Sequence, residues 1–304
     1  MNDEIVECKR CLMDTTISDV VIDINGYCNL CSDFLDRYEA LKTKDSNSIL
    51  ACENFINKVK KDGKKQKYDC IVGVSGGVDS SWALVKAVEL GLRPLAVHMD
   101  NGWNSELAQS NINNLLEKLD VDLYTHVIEW EEYKKLMQSF FDAGVIDIEL
   151  LYDNAMLAVN YNLAKKIGVK YILSGSNQAT EGIRTPNGWN WFKNDKMNIY
   201  DIAKKNGNVN IQSFPSIGTI GYIYNTFVKG IKWVPFLDYL NFNKNQALKV
   251  LIDNYEYKPY PYKHYESVFT RFYQGYILPN KFGVDKRKLH LSVLIASEQM
   301  TKVE

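Results

Sequence analysis

The chain is expected to fold as an α/β protein with a doubly wound, mostly parallel sheet. An amino-terminal Cys₄ zinc ribbon should precede the sheet, and a helical carboxyl-terminal segment should follow it. Three observations predict this. Apolar runs alternate with amphipathic stretches from Tyr68 to Gly175. A short glycine–serine loop, Val74-Ser75-Gly76-Gly77-Val78-Asp79-Ser80-Ser81, joins the first run to the first amphipathic stretch. Four of the six cysteines form two Cys-x-x-Cys pairs before residue 32.

Taken in order, Cys8-x-x-Cys11 and Cys28-x-x-Cys31 are separated by sixteen residues, the ligand spacing of a zinc ribbon over residues 1–40. Four thiolates close a tetrahedral shell and leave no open position for water, so the metal would be structural. An iron–sulfur cluster is the alternative occupant of the same ligands. Between the pairs, Val20-Val21-Ile22-Asp23-Ile24 followed by Asn25-Gly26 predicts a hairpin with a type I′ turn. So small a module should depend on metal to fold. Phe34, Leu35, Tyr38 and Leu41, then Phe55, Ile56 and Val59, recur at helical spacing and predict a helical linker over 41–67. The charge run Lys60–Lys67 at its end reads as solvated.

From residue 68 the alternation begins. Cys70–Gly73 is a strand and Trp82–Val88 a helix; Arg93–Met99 is a second strand and Glu106–Leu119 a second helix. Leu123–Ile128 is a third strand, Glu131–Phe141 and Asn154–Ile167 are helices, and Tyr171–Gly175 is a fourth strand. Residues 182–240 carry Trp189, Trp191, Phe192, Phe214, Tyr222, Tyr224, Phe227 and Trp233. They read as a loop-rich, substrate-facing region followed by helices, and core packing is the commoner use of such rings. The nucleotide domain should end near residue 240 and a helical, basic segment fill 241–304. From 258 to 290 there are seven Lys or Arg against two acids, a surplus suited to a phosphorylated or carboxylated substrate or to a solvated helix face.

The loop at 75–81 has the chemistry of a phosphate cradle. Glycine lets the backbone approach an anion, and free N–H groups with the following helix dipole supply a positive field. No Gly-Lys-Ser/Thr ends it, so it is not a Walker A loop. Asp79 could hold the Mg²⁺ that accompanies pyrophosphate, or cap the helix, or both. Ligands of such sheets bind beyond the carboxyl ends of the strands, which makes the ends of the second and fourth strands the next places to read.

Composition sets bounds. The net charge of −1 argues against broad nucleic-acid binding, and no apolar run is long enough to span a bilayer. The start, Met1-Asn2-Asp3-Glu4, lacks the basic and apolar regions of a secretory leader, so a cytoplasmic location is expected.

Ser-Gly-Gly-Val-Asp-Ser-Ser resembles the PP-loop of the ATP pyrophosphatases, which include GMP synthetase, asparagine synthetase and tRNA thiolases. The resemblance implies ATP held by its pyrophosphate at Val74–Ser81 and adenylylation of a carbonyl oxygen. It also implies nucleotide contacts from His98, Met99 and Asp100 after the second strand, and from Gly175, Ser176 and Asn177 after the fourth. Lys-His-Tyr-Glu-Ser-x-Phe-Thr-Arg-Phe-Tyr-Gln (263–274) and Lys-Phe-Gly-Val-Asp-Lys-Arg-Lys-x-His-Leu-Ser (281–292) narrow the likeness. With the Cys₄ module, they resemble the N-acetyl sugar amidotransferases of bacterial surface-polysaccharide synthesis. These act in O-antigen or nonulosonic acid pathways, and members commonly continue past the position of Glu304. The implied reaction converts a sugar N-acetyl group to an acetamidino group using ATP and Mg²⁺. Its substrate is an N-acetylated sugar, free or nucleotide-linked. Asp79, Ser80, Lys263 and Arg271 would act at the reacting centre. Ammonia would come from a separate glutamine amidotransferase. A tRNA thiolase and a non-catalytic nucleotide-binding scaffold are the rival readings; the absence of any cysteine after Cys70 weighs against the first and the intact loop against the second.

Overall fold

The computed structural model describes residues 4–42 and 45–303. The first three residues, on which the leader reading partly rests, lie outside the described residues, as do the linker positions Thr43 and Lys44 and the last residue, Glu304. Helices α1 (Asn29–Lys42) and α2 (Asp45–Gly63) precede the sheet. There follow β1 (Cys70–Gly73), α3 (Val78–Glu89), β2 (Pro94–Asp100), α4 (Glu106–Leu119), β3 (Leu123–Val127), α5 (Trp130–Asp142), α6 (Leu150–Ile167) and β4 (Tyr171–Ser174). The remainder comprises α7 (Gln178–Glu181), α8 (Lys196–Gly207), α9 (Thr219–Ile223) with a π-turn to Val228, β5 (Lys232–Pro235) and α10 (Lys244–Tyr255). Last come α11 (Val268–Phe272), which runs through a π-turn into α12 (Leu278–Phe282), and α13 (Lys286–Ala296).

The five strands form one parallel sheet in the order β3-β2-β1-β4-β5. The chain steps outward from β1 through β2 to β3, then crosses to the other side for β4 and β5. The switch point therefore lies between the carboxyl ends of β1 and β4, where open α/β sheets bind ligands. Alternate residues serve opposite layers. Ile71, Leu95, Val97 and Met99 pack with α5 and α6, while Cys70, Val72, Val74 and Ala96 pack with α3, α4 and α10. The four strands and four intervening helices read from the sequence are all present.

Three local readings are corrected. β5 occupies residues expected to be loop and helix. It is four residues long, lies at the sheet edge and ends in Pro235, a residue tolerated there because it need not donate to a neighbour. The hairpin after Ile22 is not type I′, which requires positive φ at both central residues. Gly26 alone is left-handed, at φ +87°, and its N–H closes onto the Asp23 carbonyl at 2.9 Å, with Asp23 N–H bonded to Tyr27 O at 2.8 Å. The charge run also starts inside α2, since Lys60–Gly63 form its last turn.

The cysteine module does not stand apart from the sheet. Met13, Ile17, Val20, Leu30 and Phe34 belong to the same apolar core as Ile71 and α6. Ser292 of α13 accepts the Leu12 N–H at 3.0 Å, Asp14 pairs with Lys288, and Lys302 reaches the Cys8 carbonyl at 2.7 Å. Among the described residues, no helix is long and apolar enough to cross a membrane.

Candidate functional site

At the end of β1 the backbone turns sharply. Gly76 is left-handed, at φ +81°, and a Cβ there would lie 2.7 Å from the Ala108 carbonyl, so only glycine fits. Gly77 is the N-cap of α3 and contributes no capping side chain. The serines shape the loop. Ser80 Oγ accepts the Ser75 N–H at 3.1 Å and donates to Gly77 O at 3.2 Å, and the two hydroxyls are 3.0 Å apart. Gly77 N–H donates weakly to Ser75 Oγ at 3.3 Å. Val78 opens the helix and Ser81 is buried beneath it.

Asp79 lies in the first turn of α3. One carboxylate oxygen accepts Thr180 Oγ–H at 2.9 Å; the other is buried and has no protein partner. Burial raises its pKa above the ordinary 3.8, and the nearby charges of Lys263 and Lys244 offset this only in part. A desolvated carboxylate oxygen with no donor, at the mouth of an anion loop, suits a hard divalent cation.

The loop after β4 meets this helix directly. A Cβ on Gly175 would fall 2.6 Å from Ser80 N and 2.7 Å from the Asp79 carbonyl carbon. Ser176 is tied to Ser174, its N–H bonding to Ser174 Oγ at 3.0 Å. Asn177 caps α7 by accepting Thr180 N–H at 2.9 Å and donates to Gly175 O at 3.0 Å. It is buried, and its side chain is engaged in holding the turn.

On the other side, His98 is a latch. Its Nδ1 lies 2.9 Å from Val74 O, so it donates there, and Nε2 then accepts from Asn104 Nδ2 at 3.1 Å. Asp100 accepts Gly102 N–H at 2.9 Å and Asn104 Nδ2 at 3.2 Å. Met99 points into the apolar core. His98 therefore positions the loop, and the side chains after β2 chiefly build a turn.

Residues 257–268 form a strap across the loop. Tyr257 and Tyr260 both donate to Gly76 O, at 2.9 and 3.1 Å. Burial pushes the Tyr260 phenol up to about 12, so the donor keeps its proton. Ser105 N–H bonds to Glu266 O and Val268 N–H to Trp103 O, both at 2.9 Å. Glu266 Oε1 lies 3.8 Å from where a Cβ on Gly77 would stand. Lys263 pairs with Glu181 at 3.1 Å and acts electrostatically on Asp79, so it faces the site. Arg271 is on the exposed side of α11, its guanidinium 5.0 Å from the Tyr265 ring centre.

The basic surplus of this segment is largely spent on ion pairs: Lys263–Glu181, Lys286–Glu149, Arg287–Asp285 and Lys288–Asp14. The sequence reading missed Thr180, Glu181, Glu266, Tyr257 and Tyr260, because each meets the loop across a long stretch of chain. The aromatic residues of 182–240 divide. Trp189 and Phe214 are core, whereas Trp191 and Phe192 line a separate cleft of about 620 Å³ with Asp147, Asn187 and Asn190.

The four cysteines converge. All are buried, and their sulfurs lie within 4.8 Å of one another. The Cys8–Cys31 and Cys11–Cys28 sulfur separations are 3.7 and 3.5 Å. A tetrahedron with metal–sulfur bonds of about 2.3 Å puts sulfurs about 3.8 Å apart, so the set fits a tetrahedral metal. Cys28 N–H approaches Cys8 Sγ at 3.2 Å and Cys31 N–H approaches Cys28 Sγ at 3.3 Å, as thiolate ligands require.

Comparison with known proteins places the end of the strap and the helices beyond it. Residues 266–304 match the family described as LPS biosynthesis protein WbpG-like, C-terminal domain, so the resemblance drawn from the motifs at 263–292 is borne out over that segment. No curated protein matches the sequence. Among solved structures, the chain is similar to NMN synthetase from Francisella tularensis (16% identity, 71% of this chain and 98% of that one, TM-score 0.36). It is also similar to the NH3-dependent NAD synthetase from Campylobacter jejuni subsp. jejuni NCTC 11168 in complex with the nitrate ion (18%, 69% and 85%, TM-score 0.34). A third is the glutamine-dependent NAD+ synthetase from Acinetobacter baumannii in complex with ADP (20%, 74% and 47%, TM-score 0.36).

Proposed function

We propose that the protein is an AMP-forming, ATP-dependent amidotransferase that converts the N-acetyl group of a sugar to an acetamidino group in bacterial surface-polysaccharide synthesis. The observation that carries this reading is the seating of the strap. An anion loop at the sheet's switch point is covered by a segment that runs directly into the WbpG-like domain. Val74–Ser81 would cradle the phosphates, with Gly175, Ser176 and Asn177 facing them across the crevice. Mg²⁺ would bind Asp79 and offset the charge of the departing pyrophosphate. An amide oxygen is a poor leaving group, and transfer of AMP to it makes displacement by ammonia feasible. Lys263, if released from Glu181, and Arg271 would offer positive charge to the sugar substrate and its phosphates. Ammonia would come from a partner glutaminase, and the reaction would take place in the cytoplasm. Cys52 and Cys70 are buried in α2 and β1, which disfavours sulfur transfer at the loop.

Purified protein given ATP, Mg²⁺, ammonium and UDP-linked or free N-acetyl sugars should release AMP and pyrophosphate. The product should be about one mass unit lighter than the substrate, as replacement of O by NH requires. Thiolated tRNA in place of this product would sink the reading.

The cysteine site, in this reading, holds one structural zinc. Because its core is continuous with the sheet, Cys28→Ala should do more than unfold a small appendage. Loss of a metal worth about 10 kcal/mol or more in isolated zinc modules should lower the melting temperature of the whole chain. Metal analysis should find one zinc per chain, and finding iron would overturn the assignment.

A further inference from the structure

Resting on the function proposed above, we propose that His264, oriented by Glu266, is the proton acceptor of the amination step. His264 lies on the strap in the left-handed region, at φ +68°, which is costly for a residue with a Cβ and calls for a reason. Its Nδ1 is 3.7 Å from Glu266 Oε1, while its Nε2 is buried and has no protein partner. At 3.7 Å the carboxylate is beyond hydrogen-bond distance of Nδ1 but near enough to favour a proton on that nitrogen, which leaves the lone pair of Nε2 free. Shortening of that contact when substrate binds would complete the arrangement in which a carboxylate fixes the tautomer of a histidine base.

The surroundings place Glu266, the partner of the histidine, beside the anion loop. Glu266 Oε1 is the side-chain atom nearest the outer face of Gly77 after the loop's own Ser75, and the adjoining Lys263 acts on Asp79. The charged groups around the histidine are Glu266 and Lys263 on the strap and His290 on α13. His290 has its ring centre 4.8 Å from that of His264, and it also feels Lys244 of α10 and Lys286 of α13. Burial and these cations hold His290 well below the ordinary histidine range, so it stays neutral and does not compete for the proton. Burial raises the Glu266 pKa, but the His264 ring, once it has taken up the proton, and Lys263 outweigh it, so the carboxylate stabilises the imidazolium.

Atoms and electrons balance in this step. The adenylylated, protonated imidate carries its carbon between the sugar nitrogen and the AMP oxygen. The lone pair of ammonia forms the new C–N bond, and the C=N π pair returns to the sugar nitrogen. One N–H proton of the resulting ammonio group passes to His264 Nε2. The freed nitrogen lone pair then forms C=N as the C–O bond breaks, its electrons leaving on the phosphate oxygen of AMP. The products are the acetamidinium and AMP, and the imidazolium returns its proton to solvent.

Asparagine tolerates a left-handed backbone but offers no basic ring nitrogen, so His264→Asn is the test variant. Sugar-dependent exchange of labelled pyrophosphate into ATP reads adenylylation alone, and amidine formation reads both steps. Exchange should stay within about 2-fold of wild type while amidine formation falls about 100-fold or more, the usual contribution of a positioned base. Glu266→Gln should show the same split, more weakly, at an unchanged melting temperature. Amidine formation within about 3-fold of wild type in His264→Asn, or equal losses in both assays for both variants, would overturn the assignment. Wild-type protein that shows no sugar-dependent exchange would instead refute the functional reading on which it rests.

Discussion

Asp79→Asn is expected to abolish AMP formation while leaving the protein at least as stable as wild type at neutral pH. The side chain keeps its size, and the amide oxygen can still accept Thr180 Oγ–H, now at 2.9 Å. What disappears is a negative charge whose second oxygen is buried without a donor. If that oxygen holds Mg²⁺ against the pyrophosphate, its loss should lower turnover by about 1,000-fold or more, the scale of several kcal/mol of charge stabilisation. Stability should move the other way. Burial raises the folded-state pKa above 3.8, so the native state binds the proton more tightly than the unfolded chain. The favourable contribution of the protonated group is complete below the unfolded value and is lost as pH rises through the folded one. At pH 7 to 8 the wild-type residue therefore carries a burial cost that asparagine removes. The gain in melting temperature should shrink as pH is lowered towards 4. Near wild-type AMP production by Asp79→Asn would show that the carboxylate has no part in the chemistry; a large fall in melting temperature at pH 8 would show that it is chiefly structural.

How much of this site was legible in the sequence depends on how far apart its parts lie. Cys70 to Ser81 is one local unit of strand, turn and helix start, so pattern and turn chemistry were enough to find it. The cysteine pairs carried their own spacing. By contrast, Tyr257 and Tyr260 reach Gly76 O across more than 180 positions, and nothing in local periodicity marks a tyrosine as a donor to a distant loop. The same holds for Thr180 on Asp79, 101 positions away. Residues at strand ends were located correctly but their directions were not. Met99 alternates inward to the core by the two-residue period of β2, while His98 turns to the other side and is consumed by Val74 O and Asn104. Residues 219–228, read only as part of the loop-rich region and the helices after it, run against the usual pattern. Ile220, Ile223 and Phe227 fall at helical spacing yet face solvent, while Asn225 is buried, so an apolar stripe did not mark the inner face. The edge strand β5 was too short to carry a period of its own.

The glycine after β4 gives the other large expected effect, because it is where the two loops of the crevice touch. The obstacles to a Cβ on Gly175 are backbone atoms of α3: Ser80 N at 2.6 Å, the Asp79 carbonyl carbon at 2.7 Å and Ser80 Cα at 2.8 Å. Backbone inside a helix cannot swing aside as the tip of a lysine can. Gly175→Ala must therefore push the β4 loop away from the first turn of α3, at a cost of about 1–3 kcal/mol or more for overpacking. Asn177 and Thr180 would move with that loop, and Thr180 is the group that fixes Asp79. Activity should thus fall further than stability, since a displacement of about 1 Å at the reacting groups can cost about 100-fold. Gly73→Ala is the control. It lies at the end of β1, a Cβ there meets nothing within 4 Å, and its φ is not in the left-handed region. Its melting temperature should be unchanged or raised slightly, because alanine restricts the unfolded chain. Equal melting temperatures and equal AMP formation for Gly175→Ala and wild type would mean that the contact between the loops can relax without consequence, and that the crevice is not the tight two-sided cradle proposed for the nucleotide.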